Sequence, residues 1–177
     1  MKKLLITLFL GFLATTAPGA EGDPGFTEIP PKELPRLIIE VAQKELPEYR
    51  VDKAILEKDG SGIYSLAMHH KTVPGQCGTL NIDSKGELSG KSVDVKESAL
   101  PEGVVEALKK KYKEYISLKI IGVSHSVEFD KGERKETYSL QLYLGVTLSR
   151  FVTVDKSGKI ISDMSEEEFD KTIVTEE

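Results

Sequence analysis

The amino-acid sequence predicts an α+β fold in which a helix followed by three or four antiparallel strands occurs twice in tandem. Apolar and polar residues alternate over residues 137–146, which is the pattern of a strand with one buried face. A second apolar run, 151–154, stops at a turn sequence of polar residues and glycine, 155–158. Both patterns also occur over residues 63–88, so the sheet-forming unit is predicted to be duplicated.

The N-terminal residues have the composition of an export signal. Lys2 and Lys3 precede an apolar run over residues 4–14, and small residues follow around 17–20. The run is shorter than the roughly 20 apolar residues that a membrane-spanning helix needs. The sequence therefore predicts a signal peptide at 1–20, no membrane span after cleavage, and a periplasmic or secreted protein.

The charge of the remaining chain argues against one class of partner. The full sequence has a formal net charge of −5. Cleavage removes two lysines and no acidic residue, which takes the net charge to −7. Nucleic acid needs a basic protein surface, so we expect no nucleic-acid partner.

The first predicted unit spans residues 33–96, after an extended leader at 21–32. Its helix begins at Leu34-Pro35, where the missing N–H of proline breaks no hydrogen bond, and Pro47 ends it. Strands are predicted over 51–56, 63–70, 77–82 and 88–95. The helical apolar stripe and the even-numbered strand residues are expected to share one core: Ile38, Ile39, Ala42, Leu46, Tyr49, Tyr64, Leu66, Met68, Leu80 and Ile82.

The second predicted unit spans residues 97–164. Its helical stripe repeats the first one 66 residues later, as Val104, Val105, Leu108, Tyr112 and Tyr115. The offset rises to 74 at the next strand, so about eight residues are inserted, and we place them in a loop at 127–136. Residues 165–177 are predicted to be a solvated acidic tail with one helical turn around Phe169.

These features resemble the PepSY-like family, which includes exported proteins described as beta-lactamase-inhibitor-like. The resemblance lies in the Leu-Pro helix starts at 34–35 and 100–101, in Tyr49 and Tyr115, and in the strand endings at 83–86 and 155–158. It covers nearly the whole chain after the signal. It implies a tandem α/β sandwich used for binding, as protease propeptides and exported inhibitors use it, with no cofactor.

Three clustered side chains are the candidates for a metal site. The predicted hairpin around Pro74 would allow His69, His70 and Cys77 to meet, and zinc requires three or four such ligands on one side. Adjacent residues on a strand point to opposite faces, so we favour ordinary sheet positions for both histidines. Metal or small-ligand binding at this hairpin stays open as the alternative function.

Catalytic chemistry has weak support in the sequence. Cys77 is the only cysteine, and as a nucleophile it would need a base, for which His125 is the spare histidine. Asp83 and Asp155 are interpreted as turn residues that cap their own backbone. The chain is therefore expected not to be an enzyme.

Aromatic residues on polar surfaces are the candidate contacts for a partner. The alternation places Tyr143 and Phe151 on the sheet face opposite the core, and Phe129 lies within the predicted loop. Exposed aromatic side chains are common binding anchors. We therefore expect an exported, non-enzymatic binding or inhibitory protein that engages another envelope or secreted protein, with a hydrolase as one candidate.

Overall fold

In the computed structural model, the strands form one continuous antiparallel sheet. The structure describes residues 25–115, 117–130, 132–145 and 148–174, and the predicted signal peptide lies outside these ranges. Each strand pairs with the next one along the chain. In order across the sheet, the strands are β1 (Phe26–Ile29), β2 (Tyr49–Glu57), β3 (Tyr64–His70), β4 (Cys77–Ile82), β5 (Leu88–Asp94), β6 (Leu118–Asp130), β7 (Glu133–Leu144), β8 (Leu148–Asp155) and β9 (Ile160–Ser165).

Within the same ranges, three α-helices accompany the sheet, so the fold is α+β. They are α1 (Arg36–Glu45), α2 (Glu102–Lys111) and α3 (Glu166–Val174). Pro35 and Pro101 lie immediately before α1 and α2, where a missing N–H breaks no helical hydrogen bond. None of the helices in the described ranges is long and apolar enough to cross a membrane.

α1 and α2 cover the same face of the sheet, and each lies over its own hydrophobic cluster. The first cluster contains the predicted core residues Ile38, Leu66 and Leu80, and all three are almost fully buried. The second cluster contains Leu108 and Leu140, which are also almost fully buried. Burial of each such side chain contributes about 1.5–3 kcal/mol.

One residue of the predicted helical stripe is not part of either core. Tyr115 is exposed, whereas Tyr49, at the matching place in the first half, is buried. α2 ends at Lys111 and the chain turns before Leu118, so Tyr115 lies in the connection. Its ring contacts that of Tyr112 at a centroid distance of 6.2 Å instead of entering the core.

The β4–β5 and β8–β9 hairpins share one turn geometry. The side chains of Asp83 and Asp155 each accept backbone N–H bonds from the second and fourth residues that follow, at 2.8–3.0 Å. Gly86 and Gly158 occupy the left-handed region with φ of +83° and +89°, which favours glycine. The interpretation of both aspartates as turn residues is confirmed.

The prediction of a loop at 127–136 is wrong. β6 continues to Asp130 and β7 begins at Glu133, with Val127 paired to Glu136 and Phe129 to Arg134. The backbone groups of these residues are thereby satisfied within the hairpin. The ladder between β5 and β6 ends at the pair of Gly90 with Glu128, so beyond it β6 and β7 pair only with each other. We call residues 127–136 the β6–β7 arm.

The prediction of a solvated tail with one helical turn is also wrong. α3 begins with a capping box, in which the Ser165 hydroxyl accepts the Glu168 N–H at 3.2 Å and the Glu168 carboxylate accepts the Ser165 N–H at 2.7 Å. Phe169 is only 7 % exposed and stacks on Phe151, with ring centroids 4.0 Å apart. The helix is therefore anchored to the sheet.

The sheet has two unlike faces. We call the face covered by α1 and α2 the helix face and the other the open face. Val152 and Val154 on β8 are buried on the helix face. Phe151 precedes Val152, and successive residues of a strand point to opposite faces, so Phe151 lies on the open face. α3 therefore covers β8 and β9 on the side opposite α2.

Candidate functional site: the open face of the sheet

Small hydroxyl side chains occupy the centre of the open face. They lie in two rows that follow the register of the strands: Thr79, Ser92, Ser126 and Thr137 in one, and Ser124, Ser139, Thr153 and Ser162 in the other. The Ser126 hydroxyl donates to that of Ser92 at 2.9 Å, and the Ser124 hydroxyl donates to the Asp94 carboxylate at 2.8 Å. These short, mutually bonded side chains leave the sheet backbone close to the surface.

A cleft of about 290 Å³ opens on this face where the two halves of the sheet meet. Its lining includes Thr79 of β4, Gly90 and Ser92 of β5, and Ser126 of β6. Carboxylates surround these short residues, because the lining also includes Glu57, Glu128 and Asp130. The cleft therefore has a mixed lining, in which acidic side chains lie beside apolar ones such as Ile63 and Phe129. Sequence analysis missed it because it requires the pairing of β5 with β6.

His69 and Cys77 oppose each other across β3 and β4 on the open face. His69 Nδ1 lies 3.6 Å from the Asp52 carboxylate, and the Cys77 thiol donates to the Gly75 carbonyl oxygen at 3.8 Å. Burial, followed by the charges of Asp94 and Asp52, raises the pKa of the Cys77 thiol. Because the thiolate is the reactive form of cysteine, this environment disfavours both nucleophilic attack and metal ligation by Cys77.

His70 lies on the helix face, away from His69. Its ring meets that of Tyr49 edge-on at 5.0 Å, and its Nδ1 accepts the backbone N–H groups of Thr72 and Val73 at 3.2 and 3.1 Å. The structure thus does not bring His69, His70 and Cys77 together. The described part of the chain contains no group of three or more His, Cys, Asp or Glu residues placed to hold a metal ion.

His125 is also separated from Cys77. It stacks on Tyr138 with ring centroids 4.8 Å apart, and its Nε2 lies 3.4 Å from the Glu136 carboxylate. Tyr138 belongs to the second hydrophobic cluster, so this stack is on the helix face. The nucleophile and base pair of Cys77 and His125 is therefore not formed.

The three aromatic residues predicted to contact a partner lie far apart. Tyr143 is 40 % exposed on the open face of β7, and Phe129 is 41 % exposed on the β6–β7 arm. By strand alternation Phe129 belongs to the side of Val127, and both residues also line the cleft. The ring of Phe151 is shielded by Phe169 of α3. The capping-box pattern of Ser165 and Glu168 is the sequence signal that could have revealed this shielding.

A charged cluster on the helix face ties α2 to β8 and β9. Two nitrogens of Arg150 lie 2.8 and 2.7 Å from one carboxylate oxygen of Asp163, and the Lys111 ammonium binds the other. Burial alone would raise the pKa of Asp163, but hydrogen bonds from Lys111 and Arg150 hold this pKa below its usual value. The cluster therefore stabilises the packing of the second half on the helix face.

Comparison with known proteins identifies the fold. No family model matches the sequence, and no curated protein matches it either. The structure is similar to a BLIP-like protein from Bacteroides fragilis, with a TM-score of 0.50, 13% identity, and coverage of 75% of this chain and 88% of that chain. A DUF2874 family protein from Bacteroides uniformis matches with a TM-score of 0.51, 15% identity, and coverage of 75% and 89%. The chain thus has a BLIP-like α+β fold.

Proposed function

We propose that this chain is an exported, non-enzymatic protein that binds another envelope or secreted protein through the open face of its sheet. An antiparallel sheet can face water on one side without binding anything. Here, however, the open face carries a cleft of about 290 Å³ and an exposed tyrosine, Tyr143. That cleft is the observation that carries the proposal, because a concave surface allows a protein partner to insert side chains with good shape complementarity.

Export is supported by the composition of residues 1–20, with two lysines before an apolar run and small residues after it. The resemblance to beta-lactamase-inhibitor-like proteins makes a hydrolase one candidate partner and inhibition one candidate result of binding. The lining of the cleft combines hydroxyl and carboxylate side chains with Val127 and Phe129, and a mixture of polar and apolar residues is typical of protein interfaces.

We also infer that residues 33–96 and 97–164 are two copies of a PepSY-like unit. One support is the shared turn geometry at Asp83 and Asp155. Another is an ion pair at matching positions in the two halves, in which the positive and negative residues are exchanged. In the first half Lys91 lies 3.6 Å from Glu45, and in the second half Asp163 binds Lys111. Glu45 and Lys111 end α1 and α2, and Lys91 and Asp163 each follow their turn aspartate by eight residues.

The proposal is tested by capture from a periplasmic extract on the immobilised protein. Ser126→Arg places a long cation in the cleft, and Ser98→Arg makes the same change at an exposed position before α2. We expect one protein to be retained by the wild type and by Ser98→Arg, and lost with Ser126→Arg. Melting curves must show all three proteins folded. Equal retention by both variants, or no selective retention at all, would contradict the proposal.

A further inference from the structure

The covering of the open face differs between the two halves of the molecule. In the second half, Phe169 of α3 lies on Phe151, which pairs across β8 and β9 with Met164. In the first half, the position that corresponds to the pair of Phe151 and Met164 lies on β4 and β5 and is occupied by the pair of Thr79 and Ser92. Thr79 and Phe151 each precede their turn aspartate by four residues, and Ser92 and Met164 each follow it by nine.

Two large side chains and a covering helix in one half are thus replaced by two small side chains in the other. The cleft lies at that position, because Thr79 and Ser92 both line it. None of the described residues fills it. The second half therefore shows what this place on the sheet accommodates when it is occupied, namely a bulky side chain carried by a packed segment.

The charges of the cleft restrict what can occupy it. Among the residues that the structure describes, the carboxylates of Glu57, Glu128 and Asp130 line it, together with the cations Lys91 and Lys135. The Lys91 ammonium donates to the Glu45 carbonyl oxygen at 2.8 Å on the helix face. Lys135 lies opposite Glu128 in the ladder. The remaining excess of negative charge favours a cation, by charge complementarity.

We propose that the cleft over β4, β5 and β6 receives a basic segment of the protein partner, whose arginine or lysine side chain inserts above Thr79 and Ser92. The inference rests on the proposed function and names the chemistry of its partner. An arginine suits the site well, because its guanidinium donates to carboxylates and hydroxyls while its stem packs on the sheet. The acidic first turn of α3 from a second copy, with Glu166, Glu167 and Glu168, lacks this complementarity.

The test uses two helical peptides of equal length, one with arginine along one face and one with glutamate at the same positions. Titration into methyl-labelled protein is followed at the methyl group of Thr79 and, in the variant that lacks it, at that of Thr137 in the same row of the open face. The arginine peptide is expected to shift this signal, and the glutamate peptide is not. The double variant Thr79→Phe/Ser92→Met, which introduces side chains of the kind found in the second half, should weaken binding at least tenfold. Glu57→Gln/Glu128→Gln should weaken it and reduce its dependence on salt.

The inference is overturned if the arginine peptide leaves the Thr79 signal unchanged, or if the filled double variant binds it as tightly as the wild type does. Capture from extract with the same double variant separates the two proposals. If the filled variant retains the wild-type partner and Ser126→Arg loses it, the site above Thr79 and Ser92 is refuted as the docking point and the proposed function still stands. Absence of any selective capture by the wild type contradicts the proposed function itself.

Discussion

Gly158 lies where the β8–β9 turn meets the start of α2. Its φ is +89°, and a Cβ atom there would overlap the carbonyl oxygen of Gly103. At the matching turn of the first half, a Cβ on Gly86 would meet only the side chain of Leu37, at 3.1 Å. A side chain can rotate away, whereas a helix backbone cannot, so the two glycines differ in what they tolerate.

The glycine series Gly132→Ala, Gly86→Ala and Gly158→Ala is predicted to be increasingly destabilising. Gly132 has the same φ of +83° as Gly86, but a Cβ there meets nothing within 4 Å. Gly132→Ala should therefore lower the free energy of unfolding only by the cost of a left-handed backbone, about 1–2 kcal/mol. Gly158→Ala should exceed about 3 kcal/mol, since steric overlap with the backbone is added. Urea unfolding measures all three, and equal losses at Gly132 and Gly158 would refute the close contact with α2.

Asp163 is predicted to make stability depend on pH at the acidic end. Its pKa is held below the unfolded value of about 3.9. Its contribution is therefore fully present above that value and is lost as the pH falls through the lower folded pKa. Asp163→Asn should cost about 1–3 kcal/mol at pH 7, because Arg150 and Lys111 lose a buried ionic partner. The difference from wild type should shrink below about pH 4.

The control for this measurement is Asp170→Asn, which makes the same chemical change at an exposed position of α3. It should alter the free energy of unfolding by less than about 0.5 kcal/mol. A difference between wild type and Asp163→Asn that stays constant from pH 7 to pH 3 would show that the ionised carboxylate contributes nothing to folding.

Among the elements, strand alternation was enough to predict β3, β4 and the part of β7 from Thr137 onward, with their buried faces. Leu66, Leu80 and Leu140 are buried as the period of two requires. The β6–β7 arm is harder to predict, because charged residues alternate with Val127 and Phe129 there and such a polar composition is also typical of a loop. α3 is harder to predict for the same reason, since its acidic first turn conceals the capping box of Ser165 and Glu168.

Phe169→Ala is predicted to release α3 without unfolding the sheet. α3 packs on β8 and β9 at one end of the molecule, and Phe169 is its buried anchor. Amide exchange in α3 should accelerate by at least tenfold, while exchange in β6 and β7 stays unchanged, because local opening needs less energy than global unfolding. Glu167→Ala, at an exposed position of the same helix, is the control. Faster exchange throughout the sheet would instead make α3 an integral part of the core.

At the scale of the whole molecule, two hydrophobic clusters lie under two helices on one side of a single sheet. β5 and β6 join the halves through the ladder from Gly90 to Asp94, so the open face continues across the joint. This continuity was not predictable from the sequence, which predicts two units but not the edges at which they would pair. The candidate site depends on it, since residues of both halves line the cleft.

Binding of a protein partner through the open face, as proposed above, would change the surroundings of side chains on that face alone. Methyl-labelled NMR of the protein with the captured partner tests it most directly, because methyl groups distinguish the two faces of a sheet. The account predicts that Ala67, Thr79 and Thr137 on the open face shift on binding, while Ile39, Val105 and Ala107 of α1 and α2 do not. Shifts confined to the methyl groups of α1 and α2 would contradict it.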